Sequence, residues 1–393
     1  MSQALGRYVA LYCGLLMSIG AFSIDISLPA IPAMVRALDE PYAMVQWTVT
    51  IYMFASAFGQ LLWGPASDRF GRKAMLGGGL AFYFAGSMIC VFAPDIVTLL
   101  AGRALQGFGA SAAIVMSRAF IRDLYSGEEL ARNLALATMF FALGPIIAPF
   151  IGSGLAALFG WRAIFAALVA WSLLLIAMMT GVPETLKTRQ AQALSPASYW
   201  RNTLRLLRHP QSRRFIWVSI ASMTSMLLII ASAPRIYETS FGLTGLAFAS
   251  YFAFHGIGIV IGQVGNRHVI RQFGVARAAV AGNLVLVAAS GLILAAALSG
   301  IMTPVLITGL LILYATSYLV VYSNAAAMVL DPHGEVAGFA TALYGFASMI
   351  GSSTIVSALV LFNGGSMISW AASLLAICLV CLALTATWRA RPA

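Results

Sequence analysis

Two charged residues stand where charges are costly. Asp25 is the one carboxylate deep inside a long apolar stretch of the 393-residue chain, and Arg103 is the one cation at comparable depth. An ionised aspartate at a bilayer centre costs about 2.5–3.5 kcal/mol on the insertion scale, so such a residue is expected to face a bundle interior. A carboxylate held there is suited to loading and releasing a proton; a permanent structural salt bridge is the alternative. Arg103 shares a helical face with Gln106, Gly107 and Ala110, at +3, +4 and +7. Small residues on that face admit a second helix closely, which turns Arg103 inward as well. Its chemistry is open between two roles, pairing with Asp25 in one conformation or hydrogen-bonding backbone carbonyls at a helix break. A separation that changes with conformation would make proton affinity depend on state, as coupling requires.

Other chemistries lack their residues. No His/Asp/Glu cluster has metal-ligand spacing, and neither a phosphate-cradling glycine loop nor a pair of catalytic carboxylates occurs, so neither an enzyme nor a metal or cofactor is expected. Cys13, Cys90, Cys378 and Cys381 all fall within apolar runs and read as small apolar filler.

Polar and aromatic side chains also recur at helical spacing: Thr48, Tyr52, Ser56 and Gln60; Tyr314, Tyr318 and Tyr322 with Asn324 nearby; Tyr251 with His255; Thr341, Tyr344 and Ser348. A drug-sized pocket is mostly apolar with a few polar groups. Tyr52, Ser56, Gln60, Gln106, Met223, Tyr251, His255, Tyr318 and Tyr344 are therefore the expected substrate-contacting residues, with interhelical packing as the competing explanation for each. His255 is a second candidate titratable site.

The elements that must position these residues follow from composition. Hydrophobic residues make up 61% of the chain and charged residues only 9%, against about a quarter charged in soluble proteins. Apolar stretches of about 20 residues fall at 8–32, 44–64, 74–93, 96–117, 133–156, 162–182, 215–235, 246–264, 275–298, 303–326, 336–361 and 367–387. The expected fold class is thus an all-α integral membrane protein of twelve transmembrane helices. They form two pseudo-symmetric six-helix halves, residues 1–182 and 215–393, joined by a polar cytoplasmic linker at 183–214. Within that linker, 198–207 reads as an amphipathic helix on the membrane surface. The first apolar run reads as an uncleaved span rather than a signal peptide.

The net charge of +11 would suggest nucleic acid in a soluble protein; sorted by loop, it labels topology instead. With alternating loops, all but four of the 23 Lys and Arg residues fall on one side, the exceptions being Arg36, Arg162, Arg235 and the intramembrane Arg103. The positive-inside rule then places both termini in the cytoplasm of a bacterial-type inner membrane, with no nucleic-acid partner.

A repeat spans the halves. Gly64-Pro-Ala-Ser-Asp68-Arg69-Phe-Gly71-Arg72-Lys73 is echoed half a chain later by Gly262-Gln-Val-Gly-Asn266-Arg267, then Phe273, Gly274 and Arg277. Half-length parallel repeats are one architecture of secondary transporters, with substrate bound at the repeat interface. The first loop is expected to act as a conformational latch. Asp68 can accept hydrogen bonds from a neighbouring helix N-terminus, and Arg69 and Arg72 can pair with carboxylates such as Asp123. The copy with Asn266 lacks the charge and is expected to latch more weakly.

Taken together, these motifs resemble the major facilitator superfamily along the whole chain. The Gly64–Lys73 stretch is similar to its loop signature, and Leu100-Ala-Gly-Arg103-Ala-Leu-Gln106-Gly107-Phe-Gly109-Ala110 resembles its proton-coupled span-4 motif. Asp25-Ile-Ser-Leu-Pro29-Ala-Ile-Pro32 resembles the span-1 motif of the twelve-span drug:proton antiporters. Gly144-Pro145-Ile-Ile-Ala148-Pro149-Phe-Ile-Gly152 resembles their span-5 motif, with Ser153 where that motif usually has a second glycine. Ser117-Arg118-Ala-Phe-Ile-Arg122-Asp123-Leu-Tyr-Ser-Gly-Glu128-Glu129 is similar to the bicyclomycin-resistance and chloramphenicol-efflux subfamily.

The resemblance implies proton-driven antiport of small, largely apolar organic compounds by alternating access, with Asp25 and Arg103 in coupling. It implies a latch of Gly64, Asp68, Arg69, Gly71, Arg72, Arg118, Arg122 and Asp123, and a kinked span 5 at Gly144, Pro145, Pro149 and Gly152. The expected partners are substrate, protons and the bilayer, with the protein a monomer. One buried carboxylate predicts one proton per cycle, worth about 2.3 kcal/mol per 100 mV. The alternative is a sugar or amino-acid transporter of the same fold, whose site would need denser polar groups.

Overall fold

The computed structural model describes residues 3–125, 127–186, 188–189, 195–363 and 366–388. Of the stretches named above, Ser126 and residues 187 and 190–194 of the linker lie outside the described residues, as does the side chain of Glu128. Every regular element among the described residues is helical. The chain divides into two compact units, residues 1–200 and 201–393.

The first unit holds α1 (Gln3–Asp25), α2 (Ile31–Leu38), α3 (Tyr42–Phe70), α4 (Arg72–Phe92), α5 (Ile96–Leu124), α6 (Gly127–Phe159) and α7 (Arg162–Met179). Helix α5 packs against α1, α3 and α4, while α6 packs on α1 and α7 on α4. The first apolar run is interrupted at its functional residue. Helix α1 stops at Asp25, a short 3₁₀ turn covers Leu28–Ala30, and α2 resumes. The prolines explain the break. Pro29 has no N–H to bond the Asp25 carbonyl, and Pro32 has none for Leu28.

The second unit holds α9 (Pro210–Phe241), α10 (Gly245–Phe252), α11 (His255–Leu298), α12 (Pro304–Leu330), α13 (Ala337–Asn363) and α14 (Met367–Ala386). Helix α8 (Pro196–Arg208) runs across the boundary between the units. Helix α9 packs against α12, α13 and α14, and α11 packs against α12 and α14.

Each of the twelve apolar stretches lies largely within helix. Among the described residues, nine helical stretches are long and apolar enough to cross a membrane. One of these, Gly245–Leu298, takes in two of the stretches expected separately. Its break differs from expectation. The helix interrupts at Ala253 and Phe254, just before His255, and then runs on to Leu298 with one non-helical residue, Gly274, at φ +79°. Helix α6 carries Pro145 and Pro149 in its interior, and its small residues serve close approach. A Cβ on Gly152 would lie 1.9 Å from the Ile26 carbonyl oxygen, so α6 lies directly on the break after Asp25. Ser153 is buried, and among the described residues its hydroxyl has no hydrogen-bond partner.

Candidate functional site

Arg103 is fully buried in the first unit. It reaches its place because α5 meets α3 with almost no side chain between them; a Cβ on Gly107 would lie 2.1 Å from the Tyr52 carbonyl oxygen. The guanidinium is held on several sides. Its Nε donates to the Thr48 carbonyl at 3.0 Å, and one terminal nitrogen donates to the Ser23 carbonyl at 3.2 Å and to Gln106 Oε1. The Tyr52 ring lies 4.4 Å beneath it and the Phe165 ring 5.9 Å away, adding cation–π attraction in a dry setting. Gln106 then donates to Ser87 Oγ at 2.7 Å, and Ser23 Oγ meets the Tyr83 hydroxyl at 2.7 Å. The second terminal nitrogen of Arg103 has no hydrogen-bond partner among the described residues.

Asp25 lies two residues beyond Ser23 and is 3% exposed. Among the described residues no ion pair joins it to Arg103 or to any other cation. Of the two roles open to Arg103, this conformation displays carbonyl binding: the arginine ties α1 and α3 together through backbone oxygens. Both amide atoms of Gln106 point into this network, where its carbonyl oxygen helps to position Arg103.

At the far end of α3, a charged clasp joins four segments. Arg72 meets Asp68 at 2.6 Å, Asp123 of α5 at 3.0 Å and Ser67 Oγ. Arg122 stands 3.9 Å from the other oxygen of Asp123, and Thr185 Oγ1 donates to Asp123 at 3.1 Å. Gly71 links α3 to α4 at φ +110°, a backbone state that suits only glycine, and a Cβ there would sit 2.7 Å from Glu184 Oε2. Two expectations need correction. The group at the N-terminus of α4 is Glu184, not Asp68; it accepts from the Arg72 and Lys73 N–H groups at 3.1 Å each, because Asp68 is engaged by Arg72. Arg69 is not in an ion pair among the described residues; its guanidinium lies 5.2 Å from the Phe70 ring. Partial burial works against the charge of Glu184, but the N–H groups of Leu186, Lys73, Arg72 and Thr185 hold its carboxyl below the usual carboxylate range. Arg118 is exposed on α5, and Gly64 lies in α3 with only the Val115 side chain near its open side, 3.9 Å away.

The expected substrate-contacting residues fall into separate groups. In the first unit Tyr52 and Ser56 are buried on α3, and Gln60 is half-buried. In the second, the Tyr318 hydroxyl reaches Met223 Sδ at 3.2 Å, its ring stacks on Tyr322 at 6.2 Å, and Tyr344 donates to the Tyr322 carbonyl at 3.0 Å. Tyr251 lies beside Tyr237 at the α10–α11 break. His255 is buried there against the Phe252 ring and carbonyl, and its Nε2 has no partner among the described residues. All four cysteines are free and buried. Sequence reasoning missed Ser23, Ser87, Tyr83 and Phe165 around Arg103, and Glu184 and Thr185 in the clasp. Ser23 alone carried a signal, one helical turn's reach from Asp25 on a proline-ended helix.

The buried arginine on a glycine-lined helix, the proline-broken first span and the charged clasp beside Gly71 all belong to a helical chain with several stretches long and apolar enough to cross a membrane. The sequence profile of the Major Facilitator Superfamily matches residues 12–356, and the chain belongs to that family. It is 31% identical to a chloramphenicol resistance protein of Pseudomonas aeruginosa, over 83% of this chain and 75% of that one. It is 28% identical to a bicyclomycin resistance protein homolog of Haemophilus influenzae, over 88% and 87%. Its fold matches the partially occluded inward-open xylose transporter XylE of E. coli with a TM-score of 0.76, at 14% identity over 96% and 97% of the two chains.

Proposed function

We propose that the protein exports small, largely apolar organic compounds, antibiotics among them, across a bacterial inner membrane in exchange for protons. Residues 1–182 and 215–393 act as the two halves of an alternating-access cycle, 183–214 as their cytoplasmic linker, and the monomer is the working unit with both termini cytoplasmic. The observation that carries the reading is Asp25, a carboxylate 3% exposed at a helix break and without a cation partner among the described residues. Intramembrane ionisable groups of this kind mark proton relays. Arg103, anchored to the carbonyls of Ser23 and Thr48, holds α1 and α3 in register beside it and exchanges partners during the cycle. The relatives' names, a chloramphenicol resistance protein and a bicyclomycin resistance protein homolog, support the substrate class.

The test is expression in an efflux-deficient bacterium against an antibiotic panel, with wild type compared to Asp25→Asn and Arg103→Ala. Solubilised wild-type protein should also release protons when an exported compound is added, and Asp25→Asn should not. Proton-dependent transport that survives in Asp25→Asn sinks the coupling role.

A further inference from the structure

Helix α8 presents two chemically different sides. Toward the protein it turns Leu206, which is fully buried, and Tyr199, whose hydroxyl donates to the Leu61 carbonyl of α3 at 3.0 Å. That carbonyl is free for a reason: Pro65, four residues on, has no N–H to bond it. At 3.6 residues per turn Trp200 and Leu207, a heptad apart, share an edge roughly a quarter turn from Tyr199 and Leu206, with Leu204 beside them. Trp200 is 67% exposed and Leu207 42% exposed. Arg201, Arg205 and Arg208 run along the neighbouring edge and are exposed, and α8 contains no acidic residue.

We propose that this outward side of α8 is a docking surface for anionic phospholipids of the adjacent leaflet, which is the cytoplasmic one in the orientation proposed above. Trp200 and Leu207 enter the boundary between headgroups and acyl chains, where an amphipathic ring is well solvated. The three arginines meet the headgroup phosphates, with their stems lying along the apolar edge. Charge complementarity selects an anionic lipid over a zwitterionic one. Docking has a consequence for the first unit. Tyr199 ties α8 to α3 one to two turns before Asp68, so a lipid-seated α8 braces the end of α3 that carries the clasp.

The full-length protein in phosphatidylcholine vesicles, with and without phosphatidylglycerol, provides the test. The Trp200 contribution to fluorescence is the difference between wild type and Trp200→Phe. Acyl-brominated phosphatidylglycerol should quench that component roughly tenfold more effectively than brominated phosphatidylcholine, and added salt should erode the preference. The triple variant R201Q/R205Q/R208Q should lose it. Should the triple variant fail to fold, Arg208→Gln alone is expected to reduce the preference roughly twofold, its share of the three-arginine effect. Equal quenching by both lipids, an unquenched Trp200, or an unchanged preference in a folded arginine variant overturns the proposal. None of these readouts involves transport, so the export reading and the lipid surface stand or fall separately.

Discussion

At Asp68 the repeat carries a carboxylate that meets Arg72 at 2.6 Å, and Arg72 in turn binds Asp123. At the matching position of the second unit, Asn266 faces Asn324 of α12, and the two amides exchange hydrogen bonds of 3.1 and 3.4 Å. The glycines four residues earlier differ as sharply. A Cβ on Gly262 would lie 1.7 Å from the Thr316 carbonyl oxygen, whereas one on Gly64 would meet only Val115 at 3.9 Å. One pattern therefore serves two purposes. In the second unit it brings α11 and α12 into backbone contact sealed by a neutral amide pair. In the first it leaves the helices to other contacts and builds a charged clasp. A neutral pair buried between helices is indifferent to salt; a clasp of carboxylates and arginines near solvent is weakened by competing charges. The regions also differ in their polar interiors, since the first buries a guanidinium and the second buries His255 against the ring and carbonyl of Phe252.

The largest effect is expected at the buried arginine. Arg103→Ala removes charge-assisted bonds worth about 1.5–3 kcal/mol each and strands Gln106, so thermal unfolding of the solubilised protein should fall by several degrees and transport should be lost. His255→Ala removes one ring bond to the Phe252 carbonyl and should cost about 1 kcal/mol; equal losses would erase the contrast between the two interiors. The glycine pair comes next. Gly262→Ala forces α11 and α12 apart, an overpacking cost of about 1–3 kcal/mol, while Gly64→Ala should unfold at nearly the wild-type temperature. Sensitivity at Gly64 equal to that at Gly262 would mean the first unit closes on its repeat glycine in another conformation.

Smaller effects separate the clasp from the amide pair. Arg72→Ala leaves Asp68 and Asp123 without their shared cation and should cost about 1–2 kcal/mol. Asn266→Ala should cost about 1 kcal/mol, and only the Arg72 effect should shrink in high salt. An effect of similar size belongs to Glu184, whose carboxyl is held below its ordinary range. A group depressed in the folded state contributes stability above its unfolded pKa, and that contribution fades as pH falls through the folded value. Glu184→Gln should therefore flatten the acid side of the stability profile and cost about 1 kcal/mol near neutrality, the value of a lost helix cap. An acid limb unchanged in Glu184→Gln would show that the clasp does not sense pH through this residue.

Much of the architecture was legible in the chain itself. Apolar runs long enough to cross a bilayer, their polar punctuation, and the depth of Asp25 and Arg103 are local properties of hydropathy and spacing. The half-length repeat was equally visible, because Gly, Asp or Asn, and Arg recur at fixed offsets. The break after Asp25 has its cause in Pro29 and Pro32, since a missing N–H acts four residues away along the same helix, yet by hydropathy the run reads as one span over 8–32. Partners were not legible. Glu184 caps α4 from 112 residues downstream in the chain, Asn324 finds Asn266 across two helices, and Tyr199 reaches the Leu61 carbonyl that Pro65 frees. Hydropathy records how much each residue gains by leaving water, and that sum determined which segments pack and which charges face inward. Which donor meets which acceptor depends on the rotation and approach of whole helices, so whether Arg103 would meet Asp25 or the carbonyls of Ser23 and Thr48 was decided only by the tertiary structure.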